Sequence, residues 1–125
     1  MGIHEHLEQS RARLDRLTPE AAHAAVGAGA VIVDTRPLDQ RRAQGVVPGA
    51  IVVARNVLEW RADGTSGHAD AALAGRDLIV MCAEGYSSSL AAATLQEIGL
   101  PSATDMIGGF EAWRDAGLPI EPCPE

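Results

Sequence analysis

A chain of 125 residues is enough for one ordinary domain and too short for two cores, so a single site is expected. Apolar residues make up 46% of the sequence but aromatic residues only 3%, which predicts an aliphatic, helix-rich core and points to the α/β class. The formal charge of −7 excludes a nucleic-acid or acidic-membrane surface, since those partners need a basic patch that displaces counterions.

Residues 3–17 are charged, with Ile3, Leu7, Leu14 and Leu17 on one stripe, and are expected to form an N-terminal helical extension, residues 1–17. Thr18-Pro19-Glu20 follows: a capping hydroxyl, a proline at the first helical position and an acid in the first turn, so a second helix is predicted to begin there, ahead of the run from Ala21 to Ala28. Gly27 and Gly29 stop it. Val31-Ile32-Val33, running into Asp34-Thr35-Arg36, reads as a strand buried on both faces. A short helix is expected within 37–45, a turn at Val46-Val47-Pro48-Gly49, a second buried strand over 50–54 and a short helix over 56–61. Residues 63–74, rich in small and polar side chains, read as a loop.

Leu78-Ile79-Val80-Met81 is the third apolar strand, 82–87 a turn of small residues, and 88–98 a helix ended by Gly99 and Pro101. A last strand over 103–107 and a helix over 110–116 precede a proline-rich stretch, of which 120–125 is expected to be a flexible tail. Strands alternating with helices imply right-handed crossovers and a mainly parallel sheet. No apolar run reaches roughly the 18 residues of a spanning helix, the opening residues show no apolar signal core, and Cys82 and Cys123 stand far apart. A cytoplasmic protein without disulfides is the expectation.

Cys82 stands at the end of its strand, where ligands gather in an open parallel sheet. Ala83, Glu84, Gly85, Tyr86, Ser87 and Ser88 follow, a run whose small residues let the backbone aim several N–H groups inward, while the next helix adds its positive end. That environment favours thiolate over thiol, and the thiolate is the attacking species in sulfur exchange. Two other readings stand beside this one. Cys82 could be a buried small hydrophobe, or the nucleophile of a Cys-dependent phosphatase or arsenate reductase. The last is disfavoured because Ser88 occupies the position of the arginine that would clamp a phosphate.

Over residues 18–119 the chain resembles a single-domain rhodanese-like sulfurtransferase. The resemblance is carried, in order, by Val33-Asp34-Thr35-Arg36, Val47-Pro48-Gly49-Ala50-Ile51, Cys82-Ala83-Glu84-Gly85-Tyr86-Ser87-Ser88, and Gly108-Gly109-Phe110 with Trp113 and Gly117-Leu118-Pro119. It implies a three-layer domain with a central, mainly parallel five-stranded sheet flanked by helices, and an active loop running from the catalytic Cys82 to Ser87. It further implies that sulfane sulfur passes from thiosulfate or a persulfide to a thiophilic acceptor, with no metal or organic cofactor.

The loop departs from the familiar pattern in holding Glu84 and no cation: a carboxylate turned inward would oppose thiosulfate binding and thiolate formation and make thiosulfate a poor donor, while one facing solvent, the usual place for a loop carboxylate, would not. Arg55 would emerge at the same sheet edge and could supply the missing charge, Arg61 being a surface residue; Asp34 and Arg36 look like structural ion-pairing groups around the site. Tyr86 could wall the pocket or meet a partner, and Trp60 and Trp113 are expected in the core. Neither the four histidines nor Cys123 suggest a metal site or a relay. The alternative to an enzyme is a rhodanese-like binding or regulatory module that docks a sulfur-carrier or other protein.

Overall fold

The computed structural model describes all 125 residues. Helix α1 (Ile3–Ala12) ends before the expected 17, because the chain turns at Arg13 to bury Leu14 in the core. Helix α2 (Pro19–Gly27) starts as its capping signals dictate: Thr18 Oγ1 accepts from the Ala21 amide at 3.1 Å, a contact that stabilises a helix end by about 1 kcal/mol. The remaining elements are β1 (Val31–Asp34), α3 (Leu38–Gln44), β2 (Ile51–Val52), a 3₁₀ turn (Arg55–Val57), α4 (Leu58–Ala62), β3 (Leu78–Met81), α5 (Ser87–Glu97), β4 (Thr104–Asp105) and α6 (Gly109–Asp115).

The strands form one parallel sheet in the order β2-β1-β3-β4, with Val31 opposite Leu78, Val33 opposite Ile51 and Ile79 opposite Thr104. In place of a full fifth strand, Leu17 makes a single parallel bridge to Met106 at the β4 edge. Alternation along β1 and β3 sends side chains to both faces. Val31, Val33, Leu78 and Val80 pack with Leu58, Ala91, Ala92 and Leu95 on one side. On the other, Ile32, Ile79 and Met81 meet Ala22, Phe110 and Trp113. The result is a three-layer α/β domain, with the parallel sheet that the alternating elements predict and the flanking helices that the resemblance implies.

Two expectations need correction. Trp60 is not in the core but 54% exposed, because the five-residue α4 buries Leu58 and Ala62, one turn apart, and a residue midway between them faces the opposite side. The second and fourth strands are two residues each, because the chain pairs with its neighbour only until the Arg55 turn on one edge and the Gly108-Gly109 turn on the other. Residues 120–125 lie beside α3: Glu121 and Val46 exchange backbone hydrogen bonds of 2.8 and 2.9 Å, and Arg41 pairs with Glu125. No helix is long and apolar enough to cross a membrane.

Candidate active site

From β1 the chain moves to β2 on one side, and from β3 to β4 on the other, so the gap between β1 and β3 is where the connections diverge. Beyond the carboxyl ends of strands at such a point, the crossovers leave a crevice open. Thr35, just past β1, donates its amide and hydroxyl to the Met81 carbonyl at 3.0 and 3.2 Å, and the next residue of that strand's exit is Cys82. A cavity of about 320 Å³ opens there, lined by Thr35, Arg36, Gln40, Arg55, Cys82 and residues of the loop after it.

The loop's polarity follows from where its carbonyls go. Those of Cys82 and Ala83 accept from the Phe110 and Glu111 amides at the start of α6, at 2.9 and 3.0 Å, and that of Tyr86 accepts from the Ser89 amide at 3.1 Å. The Gly85 carbonyl accepts from Arg11 at 2.8 Å and Arg16 at 3.1 Å. With these carbonyls engaged outside, the Gly85 amide turns inward to donate to Cys82 Sγ at 3.2 Å. The amides of Ala83, Glu84, Tyr86 and Ser87 donate to no protein acceptor. N–H groups without protein partners, in the loop that begins at Cys82, make a candidate anion nest.

Burial pushes the Cys82 thiol up, but the Ser88 and Ser87 hydroxyls and the Ser88 and Gly85 amides pull it down, and the net position is below the ordinary thiol value. Ser88 has one hydroxyl proton, and it donates to Asp105 Oδ2 at 2.8 Å. The Gly85 amide, 3.2 Å from Sγ, is therefore a steadier donor to the sulfur than the Ser88 hydroxyl. Asp105 is fully buried and also accepts from Ser89 at 2.7 Å and from Arg16 at 2.9 Å.

Of the residues singled out from sequence, Cys82, Ala83, Glu84, Tyr86, Ser87, Arg36 and Arg55 line the cavity. Gly85 and Ser88 are buried behind it. Arg36 is 3% exposed, held by the Asp34 carboxylate at 2.7 and 3.0 Å and stacked 4.0 Å over the Phe110 ring. Arg55 faces the cavity but is paired with both Glu59 oxygens at 2.8 and 2.9 Å. Glu84 is exposed on the cavity wall. Arg61 is bonded to the His68 carbonyl, away from the cavity, and Cys123 Sγ has Arg41 at 4.0 Å. Sequence reading missed Arg11, Arg16 and Asp105. Only Asp105 left a signal, an acid at the carboxyl end of the last strand.

Residues 18–116 match the model of the rhodanese-like domain. The chain belongs to the rhodanese-like family. Within this family it is 38% identical over 100 residues to the thiosulfate sulfurtransferase GlpE of Stutzerimonas stutzeri, covering 79% of this chain and 84% of that protein. Against the GlpE of Haemophilus influenzae it is 33% identical over 108 residues, 84% of this chain and 92% of that one. Among solved structures, a protein of unknown function from Rhodopseudomonas palustris, described as a possible tyrosine phosphatase, superposes with a TM-score of 0.88 at 35% identity over 97% of this chain and 95% of that chain. A thiosulfate sulfurtransferase from Pseudomonas aeruginosa does so with a TM-score of 0.73 at 28% identity, over 94% of this chain and 22% of that longer one. The rhodanese fold and membership of a sulfurtransferase family thus stand together with the Cys82 geometry.

Proposed function

We propose that the protein is a sulfurtransferase that carries sulfane sulfur as a persulfide on Cys82. The observation that carries this reading is the Gly85 amide donating to Sγ at 3.2 Å, in a loop whose other amides at Ala83, Glu84, Tyr86 and Ser87 have no protein acceptor. The thiolate attacks the outer sulfur of a donor, the donor's S–S bond breaks, and its bonding pair leaves with sulfite or a thiolate. The persulfide's terminal sulfur is itself anionic, and loop amides without protein partners are available to stabilise it. A nucleophilic acceptor then takes that sulfur and Cys82 departs as a thiolate.

Charge favours a persulfide donor, small or protein-borne, over thiosulfate. Arg36 is neutralised by Asp34, Arg55 is shared with Glu59, and Glu84 adds a negative charge to the wall, so a dianion meets little attraction. A sulfur-carrier protein is a fitting acceptor, and a reducing, cytoplasmic location keeps Cys82 available. Phosphatase chemistry does not suit this loop: Ser88, where a phosphate-clamping arginine would stand, is buried against the Asp105 carboxylate.

Intact-mass measurement tests the reading. After incubation with thiosulfate, and separately with a low-molecular-weight persulfide, one added sulfur is expected that cyanide removes and that Cys82→Ala never acquires, with faster loading from the persulfide. No added sulfur from either donor rejects the enzyme and leaves a docking module. Hydrolysis of an aryl phosphate dependent on Cys82 would overturn the exclusion of phosphatase chemistry.

A further inference from the structure

The segment ahead of residue 18 lies outside the stretch that matches the family model, yet it reaches the active loop. Helix α1 lies along α5 with Leu7 and Ser10 buried, and Arg13 pairs with Glu97 at 2.7 Å. This packing delivers two guanidinium groups to one peptide carbonyl. Arg11 Nη2 donates to Gly85 O at 2.8 Å while its Nε donates to Ser89 Oγ at 3.1 Å, and its guanidinium sits 5.5 Å from the Tyr86 ring centre. Arg16 Nη2 donates to the same Gly85 O at 3.1 Å, and its Nε and Nη2 hold Asp105 at 2.9 and 3.3 Å. Neither arginine lines the cavity; both grip the loop from behind.

The carbonyl they share belongs to the one glycine of the active loop, Gly85. Gly85, at φ +86°, has no side chain to resist a change in its ψ, so the Gly85–Tyr86 peptide plane can tilt on its Gly85 side. Turned inward, that carbonyl would bring the negative end of its dipole towards the anionic sulfur. Two charge-assisted hydrogen bonds on the outer side oppose that rotation.

We propose that Arg11 and Arg16 are positioning residues for sulfur transfer, which fix the Gly85–Tyr86 peptide with its carbonyl turned away from Cys82 and so make the segment ahead of the family domain part of the active site. The inference rests on the persulfide reading above and is tested by a measurement that does not need turnover. In the full chain, Arg11→Met removes the guanidinium and keeps the apolar stem. Site-resolved alkylation of Cys82 by iodoacetamide across pH reports its thiolate fraction, and a urea midpoint reports folding.

In Arg11→Met the alkylation profile moves to higher pH, lowering the thiolate fraction at pH 7 about three- to tenfold, and sulfur loading slows at least as much. Arg11→Lys, which can reach one acceptor but not both, restores part of each. An Arg11→Met profile that coincides with wild type, whatever happens to the urea midpoint, overturns the proposal and reduces α1 to a strap. Failure of wild type to load sulfur rejects the persulfide reading instead, and the alkylation comparison still decides the role of the arginines.

Discussion

The α-carbon of Gly109 lies against the carbonyl of Cys82: a methyl group added there would overlap that oxygen and stand 2.8 Å from both the Ala83 carbonyl carbon and the Gly85 nitrogen. The α6 start and the active loop are thus in backbone-to-backbone contact, which is how the Phe110 and Glu111 amides reach the loop's carbonyls. A φ of +62° adds a second reason for glycine at this position.

Gly109→Ala must therefore push the loop away from α6. The expected outcome is a loss of stability of about 1–3 kcal/mol from strain, with a loss of sulfur loading larger than that destabilisation explains at temperatures where the variant stays folded. Urea titration alongside intact-mass loading kinetics checks both. Wild-type loading in Gly109→Ala would mean that the loop does not depend on this contact.

Asp34 and Arg36 form a bidentate pair that is essentially buried, with side chains 1% and 0% exposed. Asp34→Asn keeps the shape and strands the guanidinium without its counter-charge. Breaking one side of a buried pair costs about 3–5 kcal/mol, so the denaturation midpoint should fall sharply. Because Arg36 also donates to Gln44 and to the Gly45 carbonyl, at 3.1 and 2.9 Å, α3 should loosen with it. Hydrogen exchange along residues 38–44 would show this as faster exchange than in wild type.

Glu84 is exposed on the cavity wall, so its charge is available to a donor entering the site. Glu84→Arg changes the local charge by two and should raise the rate of loading from thiosulfate several-fold at low ionic strength, with the gain shrinking as salt screens it. Loading from a low-molecular-weight persulfide whose only charge is that of its terminal sulfur, one fewer than thiosulfate carries, should change less. Equal effects on both donors would trace the change to loop structure rather than to charge.

Much of this was legible in the sequence because the central elements are local signals. Strands β1 and β3 are continuous apolar runs buried on both faces, and Thr18-Pro19 marks its helix start to the residue. Cys82 and its loop were readable for the same reason: strand, small-residue turn and helix are contiguous. What escaped is what comes together across the chain. Arg11 and Arg16 meet Gly85 over separations of 74 and 69 residues, and on a charged helix they look like any solvated arginine. Trp60 misled because a five-residue helix is too short for its buried side to be read from apolar character alone.

The pH dependence of Cys82 has a definite sign. Its folded thiol titrates below the ordinary thiol value, because hydrogen bonds to the sulfur outweigh the burial that opposes ionisation. Between the folded midpoint and the ordinary value, about 8.5 for a free thiol, the unfolded chain binds a proton that the folded chain does not. Stability therefore rises with pH through that window, is fully present above the ordinary value, and is lost as pH falls through the folded midpoint. Cys82→Ala should lack the rise, measured as the difference between wild-type and variant urea midpoints across the window. Ser87→Ala removes a hydroxyl donor without opening the buried Asp105 cluster, and should shift the alkylation midpoint of Cys82 upward and flatten the rise in the same proportion. A midpoint unmoved in Ser87→Ala would assign the thiolate to the backbone amides alone.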